Sequence, residues 1–469
     1  MKQTIIRHTA LGILLALSTF VSAQELNTAY FTDDFTFRHD MNPAFSNERG
    51  YVSVPVLGHF NLSLQGNLGV GDVFFKNPDP TGKKTVTFMH PSISYDEAMK
   101  GISSDGVKTR VDFRMTLLST GFKAFGGYNT IEVNNRLMAG FSLPRTLFEF
   151  AKGISNKDYR FDEIAVRGED YLELALGHSR DINERLRVGA KLKVLFGVAR
   201  ADLQVNDMRA TLVGDSWQLQ GQAVGEVNLK GMTFERETKE YKSRPGTYEQ
   251  VKDLNTDDVN GFAGMGFAAD LGAVYKLTDD LTLSAALTDL GYISWSTTAI
   301  ARNDGQPFTF DGFHDLAARD EYAAPGQTFD EQKDSYADQL ADFVNLEGID
   351  DAGGKTTPIA ATARLGAEYT LPMYRKLSAG LMFTRHFGGS NFSWSEGRLS
   401  ANWRPLSWID GGVSLGVNTF STNLGWVLNI HPRGFNFFVG MDRLISKVNE
   451  DRIPLTPNAS LVFGFNVLW

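Results

Sequence analysis

The sequence contains no cysteine among its 469 residues. This absence excludes a disulfide framework, a thiolate metal site and a cysteine nucleophile. Beyond residue 23 the chain also lacks an apolar run of the roughly 20 residues that a membrane-spanning helix needs. A basic excess is missing as well, because the formal net charge is -9. The charge balance therefore argues against a nucleic-acid partner.

The N-terminus has the pattern of a secretory signal peptide. Lys2 and Arg7 form a basic region, an apolar run covers residues 10–20, and small residues precede Gln24. This order predicts a signal peptide over residues 1–23, cleaved near Ala23. The alternative is a membrane-spanning helix, but the apolar run is too short for one. A mature chain that lives in a membrane must then cross it as a β-barrel.

The last nine residues alternate strictly in character. One face of this strand is large and apolar, with an aromatic residue at its end. It comprises Leu461, Phe463, Phe465, Val467 and Trp469. Such alternation is typical of the wall of a transmembrane barrel, although an ordinary edge strand has the same period. A C-terminal strand that ends in an aromatic residue also resembles the signal read by the barrel assembly machinery, a predicted partner.

The hairpin over residues 171–199 shows the same pattern with charge on its second face. Alternate positions from Leu186 to Val198 are apolar and predict a surface facing membrane lipid. The other face predicts a polar lumen. Its charged residues, with two from a later strand, are our candidate lumen or ligand-binding residues: Glu173, Arg187, Lys191, Lys193, Arg364 and Glu368. We expect Glu173 to lie near Lys191 or Lys193; the alternative role of these charges is a salt-bridged lumen that keeps the barrel rigid.

Connection lengths indicate which way the barrel is oriented. Tight turns are predicted at 181–184, 278–280 and 372–375, whereas the connections at 230–260 and 303–355 are long. In outer-membrane barrels the short turns are periplasmic and the long loops extracellular. We predict an all-β, transmembrane antiparallel β-barrel of about 14 strands, with 12–16 allowed, over residues 51–469. Four tryptophans are predicted to lie in the interface belts: Trp394, Trp403, Trp408 and Trp426.

Residues 24–50 precede the first strand and do not alternate. The segment mixes aromatic and charged residues, and an Asn-Pro turn lies within it. It predicts a plug inside the lumen; the alternative is a periplasmic tail. The residues that we expect to act in the plug are Arg38, Asp40, Asn42 and Pro43.

The negative charge is concentrated in the predicted loop over residues 303–355. That loop contains thirteen acidic residues against three basic ones, and the rest of the chain sums to about +1. Thr328 and Glu331 have the spacing of a capping box, and apolar residues follow at helical spacing. We predict a helix over residues 329–346 in this acidic extracellular loop. It either packs on the rim of its own barrel or docks a partner.

Patterns of catalysis and of metal binding are weak. The Gly412-Val-Ser-Leu-Gly416 match to a nucleophile elbow lies within an alternating strand, whereas an elbow needs a strand-to-helix turn. The eight histidines are scattered without ligand spacing. We therefore predict no enzyme, no metal and no cofactor.

Several stretches carry a family resemblance. They are the segment Phe37-Arg-His-Asp-Met-Asn-Pro-Ala-Phe45 and residues 117–127, 171–180, 188–194, 366–369 and 377–380. The chain resembles the uncharacterised outer-membrane barrels of Bacteroidota, Gram-negative bacteria, and is distantly similar to FadL-like and PorV-like barrels. The Asn42-Pro43-Ala44 tripeptide is similar to one in the FadL-like plug region. The resemblance implies about fourteen strands with N-terminal residues in the lumen.

Two functions follow from this resemblance and from the residues. FadL-like members pass hydrophobic molecules, which implies passive transport or capture of a hydrophobic or amphipathic small molecule. PorV-like members serve protein secretion and surface attachment, which implies a non-enzymatic interaction barrel as the alternative. Both place the chain in the outer membrane, in contact with its lipid.

Overall fold

A computed structural model describes residues 25–78, 85–153, 157–212, 216–313, 325, 328–389, 391–444 and 458–469. The predicted signal peptide, residues 1–23, lies outside the described residues. The strands within them are, in chain order, β1 (Tyr51–Ser53), β2 (Phe60–Gly66), β3 (Phe74–Lys76), β4 (Thr85–Thr87), β5 (Val107–Ala124), β6 (Gly127–Leu143), β7 (Asp158–Arg160), β8 (Ile164–Asp181), β9 (Leu186–Thr211), β10 (Trp217–Leu229), β11 (Thr233–Glu240), β12 (Thr247–Asn255), β13 (Gly264–Lys276), β14 (Leu281–Trp295), β15 (Ala299–Arg302), β16 (Phe308–Phe310), β17 (Glu347–Ile349), β18 (Lys355–Pro358), β19 (Ala361–Thr370), β20 (Leu377–Phe387), β21 (Trp394–Leu406), β22 (Ile409–Asn418), β23 (Thr422–Ile430), β24 (Phe435–Met441) and β25 (Ala459–Leu468).

The helices of the described residues are not part of the barrel wall. They are α1 (Val70–Val73), α2 (Tyr95–Met99), α3 (Arg145–Lys152) and α4 (Phe329–Phe343), with two 3₁₀ turns at Asn27–Ala29 and Arg38–Asp40. In the described part of the chain, none is long and apolar enough to cross a membrane. The capping box predicted for α4 is present, since Thr328 and Glu331 exchange hydrogen bonds. The helix ends three residues before the predicted position.

Fourteen antiparallel spans close into a barrel. The last strand, β25, pairs with both β1 and β2, so that Tyr51 lies opposite Leu468 and Phe60 opposite Phe463. This closure leaves no strand edge in the wall. The predicted fold, an all-β transmembrane barrel of about fourteen strands, is confirmed. In chain order the spans are β1 with β2, β5, β6, β8, β9, β13, β14, β18 with β19, and then β20 to β25.

The two rims of the barrel differ in their connections. Every turn on one side, which we call the turn rim, is short, and the three predicted tight turns all lie there. The opposite side, the loop rim, carries the long connections. The short turns are residues 125–126, 182–185, 277–280, 371–376, 407–408 and 431–434; the longest connections are 67–106, 144–163, 212–263 and 296–354.

The outer face of the wall is apolar across its middle. Leu192, for example, is 69% exposed, and alternate residues of the neighbouring strands are similarly open. Exposed aromatic side chains form a ring at the turn rim: Tyr275, Tyr369, Tyr374, Trp403, Trp408 and Trp469. An apolar band bordered by aromatics is the surface that a barrel presents to lipid.

The interface position predicted for Trp394 is wrong. Its side chain is 2% exposed and stacks on His386 inside the barrel, with ring centroids 5.6 Å apart. The reason is strand parity. Trp394 shares the inward face of β21 with Glu396 and Arg398, whereas Trp403 lies on the outward face.

The barrel sheet itself extends beyond the loop rim, while β3 and β4 form a separate two-stranded sheet. Strand β9 continues past the barrel: residues 186–197 pair with β13, and residues 199–211 pair with β10. Strands β15 and β16 pair with β10, and the β11–β12 hairpin joins through β17. Residues 230–260, predicted as a long connection, contain the strands β11 and β12. The sequence of β11 is Thr-Phe-Glu-Arg-Glu-Thr-Lys-Glu, which has no alternation of apolar residues that would predict a strand.

A single charged substitution tests whether the apolar outer band faces lipid. We expect Leu192→Arg to destabilise the barrel by about 2–4 kcal/mol, the cost of arginine near the middle of a bilayer. The measurement is urea unfolding in lipid vesicles. Ile182→Arg is the matched control, since Ile182 is 54% exposed but lies in a tight turn. Equal effects of the two substitutions would contradict a lipid-facing position for Leu192.

Candidate functional site in the barrel lumen

Residues 25–49, which we call the N-terminal segment, lie inside the barrel. Residues 26–32 and 35–45 are buried, and their polar groups bond to opposite walls. The backbone N–H and hydroxyl of Thr28 donate to the carboxylate of Asp442, at 2.7 and 2.6 Å. On the far side, the amide of Asn42 donates to the carbonyl oxygens of Ala273 and Ala285, at 3.4 and 3.3 Å. The segment therefore crosses the lumen from wall to wall.

Two glycines let the segment touch the wall directly. A Cβ at Gly189 would lie 2.0 Å from the carbonyl oxygen of Pro43, and one at Gly272 would lie 2.0 Å from Oδ1 of Asn42. Neither distance is possible between real atoms, so both positions need a residue without a side chain. Asn42 and Pro43, predicted plug residues, are thus seated on β9 and β13.

Buried ion pairs connect the segment to β5, β6 and β9. The carboxylate of Asp40 lies 2.8 Å from Nζ of Lys191 and 2.9 Å from Nη2 of Arg114. Glu132 approaches the same two cations, at 2.7 Å and 3.1 Å. All four side chains are at most 4% exposed. Glu25 also pairs with Arg114, at 2.7 Å, and Nδ1 of His39 lies 3.2 Å from Glu132. Each of these carboxylates thus has a cation beside it, as burial of charge requires.

A second buried network lies beside the first. Nζ of Lys193 lies 2.6 Å from Asp289, 2.9 Å from Asp270 and 3.5 Å from Glu173. Arg136 pairs with Asp289 at 3.3 Å. The expected proximity of Glu173 and Lys193 is therefore present, within a larger network.

The remaining candidate residues do not join one cluster. Arg364 donates to Thr288 at 3.2 Å, and Glu368 accepts from Ser378 at 2.7 Å. Arg187 is a quarter exposed near a turn, 3.6 Å from Asp181. Arg38 donates to the carbonyl oxygen of Tyr30, within the segment itself, at 3.1 Å. A role of these residues in binding a ligand stays a prediction.

The sequence analysis missed several charged residues of the lumen. The missed members of the two networks are Arg114, Glu132, Arg136, Asp270 and Asp289. Strand parity could have found Arg114 and Glu132, since both lie on inward faces of predicted strands. No such signal identifies Asp289, because it has a positive φ of 62° beside an irregularity in the β13–β14 pairing.

One cavity in the lumen is small and partly polar. It measures about 70 Å³ and lies next to the segment. Its lining includes His386 and several charged groups, among them Arg110, Asp112, Arg136, Asp289 and Arg364. Sites for drug-sized ligands measure about 300–1,000 Å³. This cavity holds only a few waters, whereas an open pocket of about 560 Å³ lies at the turn rim, where Asn47, Tyr128 and Arg187 line it.

The segment also reaches the turn rim. Asp34 lies 2.7 Å from Nη2 of Arg404, and Arg49 donates to the carbonyl oxygen of His431 at 3.2 Å. Burial and then the charge of Arg404 lower the pKa of His431 to about 4, so its imidazole is neutral at pH 7. Burial raises the pKa of Asp34 above its usual value, although Arg404 acts in the opposite direction.

Ser414 of the Gly-x-Ser-x-Gly pattern has no histidine as a partner in the described contacts. It lies within β22, where its hydroxyl bonds to Thr28 at 2.8 Å and accepts from Arg398 at 2.7 Å. The residue therefore holds the N-terminal segment, and it lacks the strand-to-helix turn of a nucleophile elbow.

This architecture defines the class as a transmembrane β-barrel with its own N-terminal segment in the lumen. The chain belongs to a family of unknown function (DUF5723), whose model matches residues 43–442. No curated protein matches the chain. The predicted likeness to PorV and the origin in Bacteroidota stay predictions.

Several solved barrels are similar to this chain at low identity. The toluene transporter TbuX of Ralstonia pickettii is 10% identical over 93% of this chain and 92% of that one, with a TM-score of 0.39. The toluene transporter TodX of P. putida is 9% identical over 91% of each chain, with a TM-score of 0.36. A FadL homologue of Pseudomonas aeruginosa is 11% identical over 96% of this chain and 99% of that one, with a TM-score of 0.35.

The ion pairs of Asp40 and Glu132 with Arg114 and Lys191 predict how substitutions change the free energy of unfolding. Lys191→Met removes one of the two cations that Asp40 and Glu132 share, so we expect a loss of about 3–5 kcal/mol. Adding Glu132→Gln restores the balance and should recover most of the loss. Arg187→Met is the matched control and should cost about 1 kcal/mol or less, because its ion pair is exposed. Urea unfolding in vesicles gives all four values; equal losses for Lys191→Met and Arg187→Met would contradict the network.

Proposed function

We propose that this chain is an outer-membrane barrel that passes or captures amphipathic small molecules, with the N-terminal segment as its gate. The observation that carries the proposal is the content of the lumen. The N-terminal segment fills much of it, beside charged side chains of the wall such as Lys193 and Asp289. Hydrogen bonds, ion pairs and an apolar cluster join the segment to the wall without backbone strand pairing. The contacts of a ligand or of water can replace them.

The charges of the lumen favour an amphipathic molecule over a purely apolar one. Displacing the segment removes Asp40 from Lys191 and Arg114. A purely apolar molecule in its place would leave these cations short of a partner, which costs several kcal/mol. A molecule with an acidic or polar group supplies that partner, and its apolar part can lie against the aromatic residues of the segment.

The proposed location is the outer membrane, reached after cleavage near Ala23. The apolar outer band and its aromatic ring support it, as does the exposed Trp469 at the end of β25. In the proposed orientation the turn rim is periplasmic and the loop rim extracellular. The barrel assembly machinery is the proposed partner for insertion.

A disulfide that fixes the N-terminal segment to the wall tests whether the segment is the gate. The chain has no cysteine of its own, so only the introduced pair can form a disulfide. The hydroxyls of Thr28 and Ser414 are 2.8 Å apart and join the segment to β22. We expect Thr28→Cys with Ser414→Cys, once oxidised, to reduce the flux of an amphipathic fluorescent carboxylate into liposomes at least tenfold. A reductant should restore the flux, because it frees the segment.

The matched control is a second cysteine pair placed within the wall. Ser294 and Thr356 lie on paired strands with hydroxyls 3.2 Å apart, away from the segment. Oxidation of Ser294→Cys with Thr356→Cys should leave the flux unchanged. Equal flux through the oxidised and reduced forms of the Thr28–Ser414 pair, in folded barrels, would reject the segment as the gate.

A second candidate function is a non-enzymatic interaction barrel in a secretion or surface-attachment complex. The observation that favours it is the sheet beyond the loop rim, with α4 fixed on it. The carboxylate of Asp342 accepts from the backbone N–H and the hydroxyl of Ser243, at 2.8 and 2.6 Å. Burial raises the pKa of Asp342, but these bonds and one from Lys242 outweigh it and lower the pKa. The helix is therefore held in place near neutral pH and presents its acidic face.

Charge reversal on α4 tests this candidate. Asp330 and Asp334 have side chains that are 81% and 71% exposed. We expect Asp330→Lys with Asp334→Lys to reduce recovery of a protein companion from native outer membranes at least fivefold, since a basic partner surface would be repelled. Glu237→Lys with Asp253→Lys on the β11–β12 hairpin is the control and should keep the companion. An unchanged recovery from the α4 variant would reject α4 as the docking surface.

A further inference from the structure

A group of three potential metal ligands lies where the N-terminal segment meets the turn rim. Asp34 comes from the segment, Asp410 from β22, and His431 from the turn that follows β23. Nε2 of His431 lies 3.7 Å from Oδ2 of Asp34 and 3.6 Å from Oδ1 of Asp410. The three side chains are 4–15% exposed. Residues almost 400 positions apart in the chain thus direct one nitrogen and two oxygens at a common point.

The histidine nitrogen is the informative atom. The side chain of His431 is only 4% exposed, so water does not reach Nε2 freely. This nitrogen nevertheless has no hydrogen-bond partner among the described residues. Separations of 3.6 and 3.7 Å are too long for hydrogen bonds. They are close to the roughly 3.3–3.6 Å between two ligands that each bind one ion at about 2.0–2.2 Å. The spacing therefore fits a shared cation better than direct contact.

A second group of histidine and carboxylate side chains differs from this one because side-chain cations lie within it. His39, Asp40 and Glu132 also lie within ligand distance of one another. There, Lys191 and Arg114 sit between the carboxylates, and Nε2 of His39 bonds to the hydroxyl of Tyr51 at 2.9 Å. Side-chain cations already fill that group. Among the described residues, the group at the turn rim has no lysine between its ligands, and two arginines, Arg404 and Arg49, lie at its edge.

We infer that Asp34, Asp410 and His431 bind a divalent first-row transition cation of the Zn²⁺ type. An imidazole nitrogen with carboxylate oxygens suits Zn²⁺ and its neighbours, whereas Ca²⁺ and Mg²⁺ prefer oxygen alone. Three protein ligands leave a position for water. Asn429 donates to Oδ1 of Asp410 at 2.7 Å, which orients that carboxylate as an outer-shell partner would.

Arg404 is the one competitor for the site. Its Nη2 lies 2.7 Å from Oδ2 of Asp34, but its side chain is 39% exposed and can turn to solvent. Arg49 bonds only to the backbone oxygens of His431 and Pro432. Binding of the cation would tie the N-terminal segment to two strands of the wall. This is a separate property from passage through the lumen, and it stands whether or not the segment is a gate.

The test is Zn²⁺ binding by the full chain in detergent, after treatment with a chelator. Isothermal titration should show one site per chain, and His431→Gln and Asp410→Asn should each weaken it at least tenfold. Arg404→Gln should bind Zn²⁺ as tightly as the parent or more tightly, because it removes the competing cation. His90→Gln is the matched control, since His90 is exposed on the loop rim, and it should bind normally.

Folding and ligand identity are checked independently of affinity. Each variant must retain the heat-dependent migration of a folded barrel on a semi-native gel. Co²⁺ should give a d–d spectrum in the parent that is lost in His431→Gln, which a merely destabilised barrel would not explain. Absence of stoichiometric binding by the folded parent, or equal binding and equal spectra in parent and His431→Gln, would overturn the inference.

Discussion

The pairing of the last strand with the first is the constraint on which the structure depends. Within a bilayer no water bonds to backbone polar groups, so a sheet can cross only when it closes on itself. Closure of β25 on β1 and β2 fixes the whole wall. Because residues alternate along each strand, closure also sends every second side chain into a common lumen. Fourteen spans enclose more space than wall side chains can fill, since about eight spans are the limit for that.

The N-terminal segment fills this space, and its charges match those of the wall. On one side Asp40 enters between Arg114 and Lys191. On the other, Asp442 accepts from the backbone N–H groups of Asn27 and Thr28, both at 2.7 Å. Each contact pairs a buried charge with opposite charge or with N–H donors. Burial of so many ionised groups is tolerable because few of them are left alone.

The sequence predicts those features of the fold and of the lumen that depend on residues close together in the chain. Alternation between Leu186 and Val198 is local, and it predicted the strand, its lipid face and the inward positions of Lys191 and Lys193. Lys191 and Asp40 are 151 positions apart in the chain, so no local pattern encodes their pairing. The same holds for Asp34, Asp410 and His431, because the spacing of histidines along the chain does not show which side chains meet in the fold.

Strand β9 connects the barrel wall to the strands beyond the loop rim. It pairs with β8 and then β7 on one side, and with β13 and then β10 on the other. Bonded in this way, it is a rigid part of the wall. Over the described residues the N-terminal segment contributes no strand to that ladder, and its contacts with β9 include Gly189 and Lys191. Displacing the segment therefore breaks side-chain contacts and leaves the wall paired. Those contacts include the ion pairs of the lumen and an apolar cluster in which Phe35 and Phe37 of the segment pack against Phe438 of the wall. Both the charged and the apolar contacts therefore oppose displacement of the segment.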